Sequence, residues 1–116
     1  MKRTTIFLTR HASTLWNEEA RFQGSLNSPL SLKGRDQARQ LGLVIRELSP
    51  EVLCTSTQLR SQETGAIALE AAGLSLSIDR YPELNEISLG YWEGKTAAWV
   101  KERDAEVFKE YVQNPQ

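Results

Sequence analysis

Ile6-Phe7-Leu8-Thr9-Arg10-His11-Ala12-Ser13-Thr14 runs from an apolar stretch straight into Arg-His and then into small and hydroxyl residues. Residues 4–9 are apolar or β-branched without alternation, the pattern of a strand covered on both faces in a parallel sheet. The single histidine of the chain stands at the carboxyl end of that run. Open α/β sheets bind ligands beyond the carboxyl ends of their strands. A histidine at a strand end is, taken alone, more often a surface or hydrogen-bonded imidazole than a reactive one. The weight therefore falls on what the rest of the chain brings to it.

Outward from this stretch, residues 11–30 read as loop, with Gly24 and Pro29 as breakers and one helical turn near residues 15–20. Ser31 caps a predicted helix to Leu48 whose apolar face is Ala38, Leu41, Val44, Ile45 and Leu48, and Ser49-Pro50 ends it. Residues 51–56, centred on Val52-Leu53-Cys54, predict a second short strand. A helix over 57–72 stops at Gly73. Residues 76–78 predict a third strand, and 81–94 a loop broken by Pro82, Gly90 and Gly94. A last helix over 95–112 carries Val100, Val107, Phe108 and Tyr111 on one face, with Asn114-Pro115 after it. Strand and helix alternate throughout, which makes the class α/β with a mainly parallel sheet. Three strands form a thin sheet for such a design, and the pattern reads as unfinished.

A chain of 116 residues fits one domain. Its 14 basic and 15 acidic residues are mixed, so no broad basic field for nucleic acid is present. No apolar stretch approaches the roughly 20 residues that span a bilayer. Cys54 is the single cysteine, which excludes an internal disulfide and suits a reducing compartment. With no targeting signal legible, the expected location is cytoplasmic.

Several side chains have the chemistry to surround a phosphoryl group. Arg10 is an odd end for a buried strand unless its charge has a partner, and a planar guanidinium matches two phosphate oxygens at once. Arg60 falls in the first turn of a predicted helix, where a cation opposes the dipole unless an anion is bound. Asn17 and Gln23 supply amide donors, and Gly24 follows Gln23 in the same loop. Glu86 lies between Leu84 and Ile87, an apolar setting that would suit a proton donor, and Glu83 and Glu93 rank below it. The plainer readings are a solvated Arg10, a role-free Arg60, and loop amides making turn hydrogen bonds.

In sequence order, Leu8-Thr9-Arg10-His11-Ala12-Ser13-Thr14 with Trp16-Asn17 resembles the Arg-His-Gly signature of the histidine phosphatase superfamily, also called phosphoglycerate mutase-like. Arg21-Phe22-Gln23-Gly24, Ser28-Pro29-Leu30-Ser31 and Lys33-Gly34 resemble its next loop and helix start. Ser56-Thr57, Arg60-Ser61 and Glu63-Thr64 resemble the segment bringing a second arginine. Leu84-Asn85-Glu86 and Gly90-Tyr91-Trp92-Glu93-Gly94 resemble the segment bringing the acid. Ala12 stands where that family most often has glycine.

The resemblance implies a three-layer α/β/α domain with a mainly parallel sheet, cut short before its C-terminal strands. Residues 1–116 would then be the N-terminal portion of a single histidine phosphatase domain. It further implies that His11 attacks phosphorus, that Arg10 and Arg60 hold the phosphoryl oxygens with Asn17, Gln23 and Gly24, and that Glu86 protonates the leaving oxygen. No metal and no cofactor are implied. The expected substrate is a small phosphate ester, hydrolysed in the manner of alpha-ribazole phosphatase-like or broad-specificity members. The family's second catalytic histidine has no counterpart here. The alternatives are accordingly a non-catalytic phosphate-binding or interaction fragment, with self-association through an open sheet edge, and a phosphoglycerate mutase. No nucleic-acid or membrane partner is implied.

Overall fold

The computed structural model describes residues 2–113. Helix α1 (Leu15–Glu18) is a single turn closed by a capping box, in which the Thr14 hydroxyl accepts from the Asn17 N–H and the Asn17 side chain accepts from the Thr14 N–H. Helix α2 (Leu32–Leu48) starts at Ser31, whose side chain accepts from the Gly34 N–H. It ends at Ser49, in left-handed backbone ahead of Pro50. Strand β1 (Leu53–Thr55), helix α3 (Leu59–Ala72) and strand β2 (Ile78–Arg80) form one β-α-β unit. The strands are parallel, with Leu53 opposite Ile78, Cys54 opposite Asp79 and Thr55 opposite Arg80. Gly73 closes α3 at φ +69°, a conformation that costs glycine nothing. Single 3₁₀ turns at Pro82–Leu84 and Gly90–Trp92 interrupt the next loop, which leads to α4 (Ala97–Arg103) and α5 (Ala105–Gln113).

Helices α2 and α3 approach closely because small residues meet between them. A side chain at Gly42 would lie 2.4 Å from the Ala68 carbonyl oxygen and 2.7 Å from the Ala71 Cβ. Ile45, Ala68 and Ala72 form one buried cluster with Leu41 and Leu74 against it; Ala12, Leu30 and Ala38 form another, with Ile67. The second cluster anchors the residue after His11 to the start of α2. Gly34 tightens that junction, since a Cβ there would fall 1.9 Å from the Ser13 carbonyl oxygen. The same oxygen accepts from the Ser31 N–H at 3.0 Å. In an open helix Gly→Ala stabilises; here Gly34→Ala should lower stability by about 2 kcal/mol through overpacking, read as a lower midpoint in thermal unfolding. An unchanged or raised midpoint would show that Ser13 can move away freely.

A separate aromatic cluster holds the C-terminal helices. Phe22 and Trp92 lie 5.5 Å apart, and Trp92 and Tyr111 meet edge to face at 5.6 Å. Phe108 joins them.

Three expectations need correction. Residues 4–9 do not enter the sheet. Ile6 is 80% and Leu8 94% exposed, and among the described residues the sheet is β1 and β2 alone. An interior strand needs a ladder on each edge and apolar cover on each face; without both, ordering the segment is not repaid. The predicted helix over 95–112 is broken between Arg103 and Ala105. The Asp104 carboxylate accepts from the Tyr91 hydroxyl and from the Trp92 indole N–H, and its backbone leaves helical geometry. Val44 and Leu48 on the expected apolar face of α2 are half exposed, because the inner face is set by Gly34, Ala38, Gly42 and Ile45. Asn114-Pro115 lie outside the described residues. No helix among the described residues is long and apolar enough to cross a membrane.

Candidate functional site

His11 follows the unpaired segment and is half-buried where the start of α2 and the face of α3 converge. The Ala12 N–H donates to Thr64 Oγ1 at 3.0 Å, and the Thr64 hydroxyl donates to the Arg60 carbonyl at 2.7 Å. Arg60 and Thr64 are one helical turn apart on the same face of α3, so the bond that fixes Ala12 also brings Arg60 to the His11 side. The His11 Nδ1 lies 2.7 Å from the Ala12 carbonyl oxygen. A carbonyl can only accept, so Nδ1 carries the proton and Nε2 keeps its lone pair. Burial lowers the imidazole pKa from its ordinary value. The bond to Ala12 opposes this, the Arg60 and Arg10 charges add to it, and the Glu86 charge acts against it.

Arg60 is 3% exposed. Its Nη2 donates to the Gly24 carbonyl at 2.9 Å and its Nη1 to the Leu26 carbonyl at 3.2 Å. The expected conflict with the dipole of α3 is thus relieved by main-chain carbonyls, leaving the other N–H groups of the fork unspent. Burial lowers the guanidinium pKa, with Glu86 and Glu93 holding it up. Gly24 takes φ +53°, and a Cβ there would press on the Glu93 carboxylate and the Leu89 backbone at about 3.0 Å. The loop therefore requires glycine for its turn and for its packing.

The other predicted residues fall out differently. Arg10 is exposed, with its charge still acting on His11. Asn17 spends its side-chain oxygen on capping α1. Gln23 is buried, with its oxygen accepting from the Thr14 hydroxyl at 2.9 Å. Both amides are drawn into local structure as well as lying near the loop. Glu86 is exposed, and its flanking Leu84 and Ile87 are 57% and 61% exposed, so the desolvated setting expected for the acid is not formed. Its carboxylate accepts from the Ile87 N–H. Among the described residues no group of metal-ligating side chains is assembled.

Two residues matter more than the sequence suggested. Glu93 accepts from the Ser25 N–H and hydroxyl, the Leu26 N–H, the Ser88 hydroxyl and the Leu89 N–H. Burial raises its pKa, but the donors from Ser25, Ser88 and Leu89 outweigh that and hold the carboxyl below the usual range. Glu93 thereby fastens the Gly24 loop, whose carbonyls hold Arg60. Gln58 links the Gly24 carbonyl to the Glu86 backbone. Neither role has a local signal, because each joins residues far apart in the chain.

Residues 6–116 match the histidine phosphatase superfamily, branch 1. The chain is 39% identical over 88 residues to a probable phosphoglycerate mutase GpmB of Enterobacter sp. (strain 638), spanning 76% of this chain and 40% of that protein. Among solved structures it resembles Bacillus stearothermophilus YhfR, with a TM-score of 0.86 and 39% identity over 92% of this chain and 52% of that one. It also resembles a putative alpha-ribazole-5'-P phosphatase from Escherichia coli K-12, with a TM-score of 0.77 and 27% identity over 90% of this chain and 52% of the other. The chain thus spans about half the length or less of these relatives. The structures fix a phosphoglycerate mutase-like fold with a parallel sheet, and the profile match over residues 6–116 places the chain in the histidine phosphatase superfamily.

Proposed function

We propose that this chain supplies the N-terminal portion of a phosphoric monoester hydrolase domain that works through a phosphohistidine on a small phosphorylated metabolite. The substrate would be of the kind handled by alpha-ribazole phosphatase-like or broad-specificity members. The observation that carries this is His11: its Nδ1 is committed to the Ala12 carbonyl, which leaves the Nε2 lone pair for attack on phosphorus. Nε2 attacks phosphorus as the ester P–O bond breaks, and the proton for the departing oxygen comes from Glu86. Arg10 and the unspent N–H groups of Arg60 carry the equatorial charge, with Asn17, Gln23 and Gly24 lining the loop beside them. Water then attacks phosphorus as the P–N bond breaks and returns its electron pair to Nε2, and Glu86 takes up the proton of the water. No metal or other cofactor takes part. The single thiol, Cys54, suits a cytoplasmic setting.

Hydrolysis requires that water reach the phosphoryl group held on His11. The mutase reading draws on the name of the Enterobacter relative, and it requires the phosphoryl group to return to substrate instead. For a non-catalytic fragment, the edges of the two-stranded β1–β2 sheet are the surface for self-association. The test is phosphate release from a small ester without added metal, alongside acid-labile labelling of the chain and light scattering. Steady phosphate release with a transient label supports the hydrolase. A label that returns to a phosphorylated acceptor supports the mutase. Absence of any label, with phosphate binding retained, would leave a binding fragment.

A further inference from the structure

The carboxylate assigned to proton donation sits on an exposed, punctuated loop, and something must hold it in register with Arg60. Gln58 occupies the N-cap position of α3 yet makes no side-chain cap bond to its own helix. The residue is 8% exposed, and its amide bonds away from its own helix instead. Nε2 donates to the Gly24 carbonyl at 2.9 Å, and Oε1 accepts from the Glu86 N–H at 3.0 Å. The Gly24 carbonyl is the same oxygen that receives Arg60 Nη2 at 2.9 Å. One buried amide therefore touches the carbonyl that locates the guanidinium and the backbone that locates the acid. The neighbouring tie, in which the Asn85 side chain exchanges hydrogen bonds with Thr57, is exposed to water.

We propose that Gln58 is a positioning residue for proton donation, with its buried amide holding the Glu86 backbone and the Arg60 anchor in one frame. The inference rests on the phosphoryl-transfer reading above for its consequence, but not for its geometry. A primary amide is the group suited to the position, because it offers one donor and one acceptor at fixed spacing. A carboxylate would repel the Gly24 carbonyl, and an apolar side chain would leave both that carbonyl's second bond and the Glu86 N–H unmade.

The test uses the full chain carrying Gln58→Met, which keeps length and burial but removes both amide bonds. Turnover is read on p-nitrophenyl phosphate, whose leaving group needs no proton, and on a simple alkyl phosphate, whose leaving group does. Alkyl phosphate turnover should fall about tenfold or more, and p-nitrophenyl phosphate turnover far less. In a Glu86→Gln background the substitution should add no further loss on the alkyl ester. Amide exchange at Glu86 should quicken about tenfold, with the thermal midpoint of the chain close to wild type. Equal losses on both esters, additive losses with Glu86→Gln, or unchanged exchange at Glu86 would each overturn the proposal. An inert wild-type chain would count against the phosphoryl-transfer reading; the exchange measurement would then decide the tie, faster exchange supporting it and unchanged exchange refuting it.

Discussion

His11→Ala should abolish acid-labile phosphoenzyme and reduce ester turnover by about ten-thousandfold or more, the scale on which covalent enzymes lose rate when the nucleophile goes. The expectation follows from the ring's setting. Nδ1 is committed to the Ala12 carbonyl, so Nε2 is the free nucleophile. Burial and the Arg60 and Arg10 charges lower its pKa. The sign follows directly: the neutral, nucleophilic form persists to lower pH than for an ordinary histidine, so phosphoenzyme formation should fall away only below the usual imidazole range. Quench-flow labelling across pH reads both points. Labelling retained in His11→Ala would remove the nucleophile from this residue. A fall-off at or above the ordinary histidine pKa would show that the ring is not desolvated in solution.

Arg60→Ala should act twice. Among the charges that act on the imidazole, the Arg60 guanidinium is the buried one, and losing one such stabiliser costs about a hundredfold or more in rate. It also donates to two carbonyls; the alanine variant removes that bond from Leu26 and leaves Gly24 with Gln58 alone. A hydrogen bond from a charged donor contributes about 1.5–3 kcal/mol, so the thermal midpoint should fall together with activity. Arg60→Lys separates the effects. An ammonium keeps the charge but cannot span both carbonyls and a phosphoryl group with a rigid fork. It should recover part of the midpoint and little of the turnover. Full recovery of turnover by lysine would mean that charge alone, rather than bidentate geometry, is what the site uses.

Much of this was legible in the chain because the signals are local. Ser31, Gly73 and the spacing of Ala38 and Ile45 set the main helices to within a residue or two, since caps and periodicity act over a single turn. The order Arg10-His11, Gln23-Gly24, Arg60, Glu86 pointed to a family, and the match over residues 6–116 shows that family. Residues 4–9 were misread for the opposite reason. Their composition is that of a buried strand, but whether a strand pairs depends on neighbours that composition does not contain.

The tertiary structure decided what each side chain is spent on. Arg60 is in the first turn of α3 by sequence, yet its anchors are carbonyls of a loop more than thirty positions earlier in the chain. Glu93, ranked below Glu86 on sequence, is the clasp of that loop; Glu86, expected to be desolvated, is exposed. Asp104 breaks a helix that its neighbours favour, because it satisfies Tyr91 and Trp92. The sequence by itself determined the helices, the turns and the types of residue available to a site. Which donor meets which acceptor was determined only when distant loops closed on one another, because a hydrogen bond depends on distance in space and carries no trace of separation along the chain.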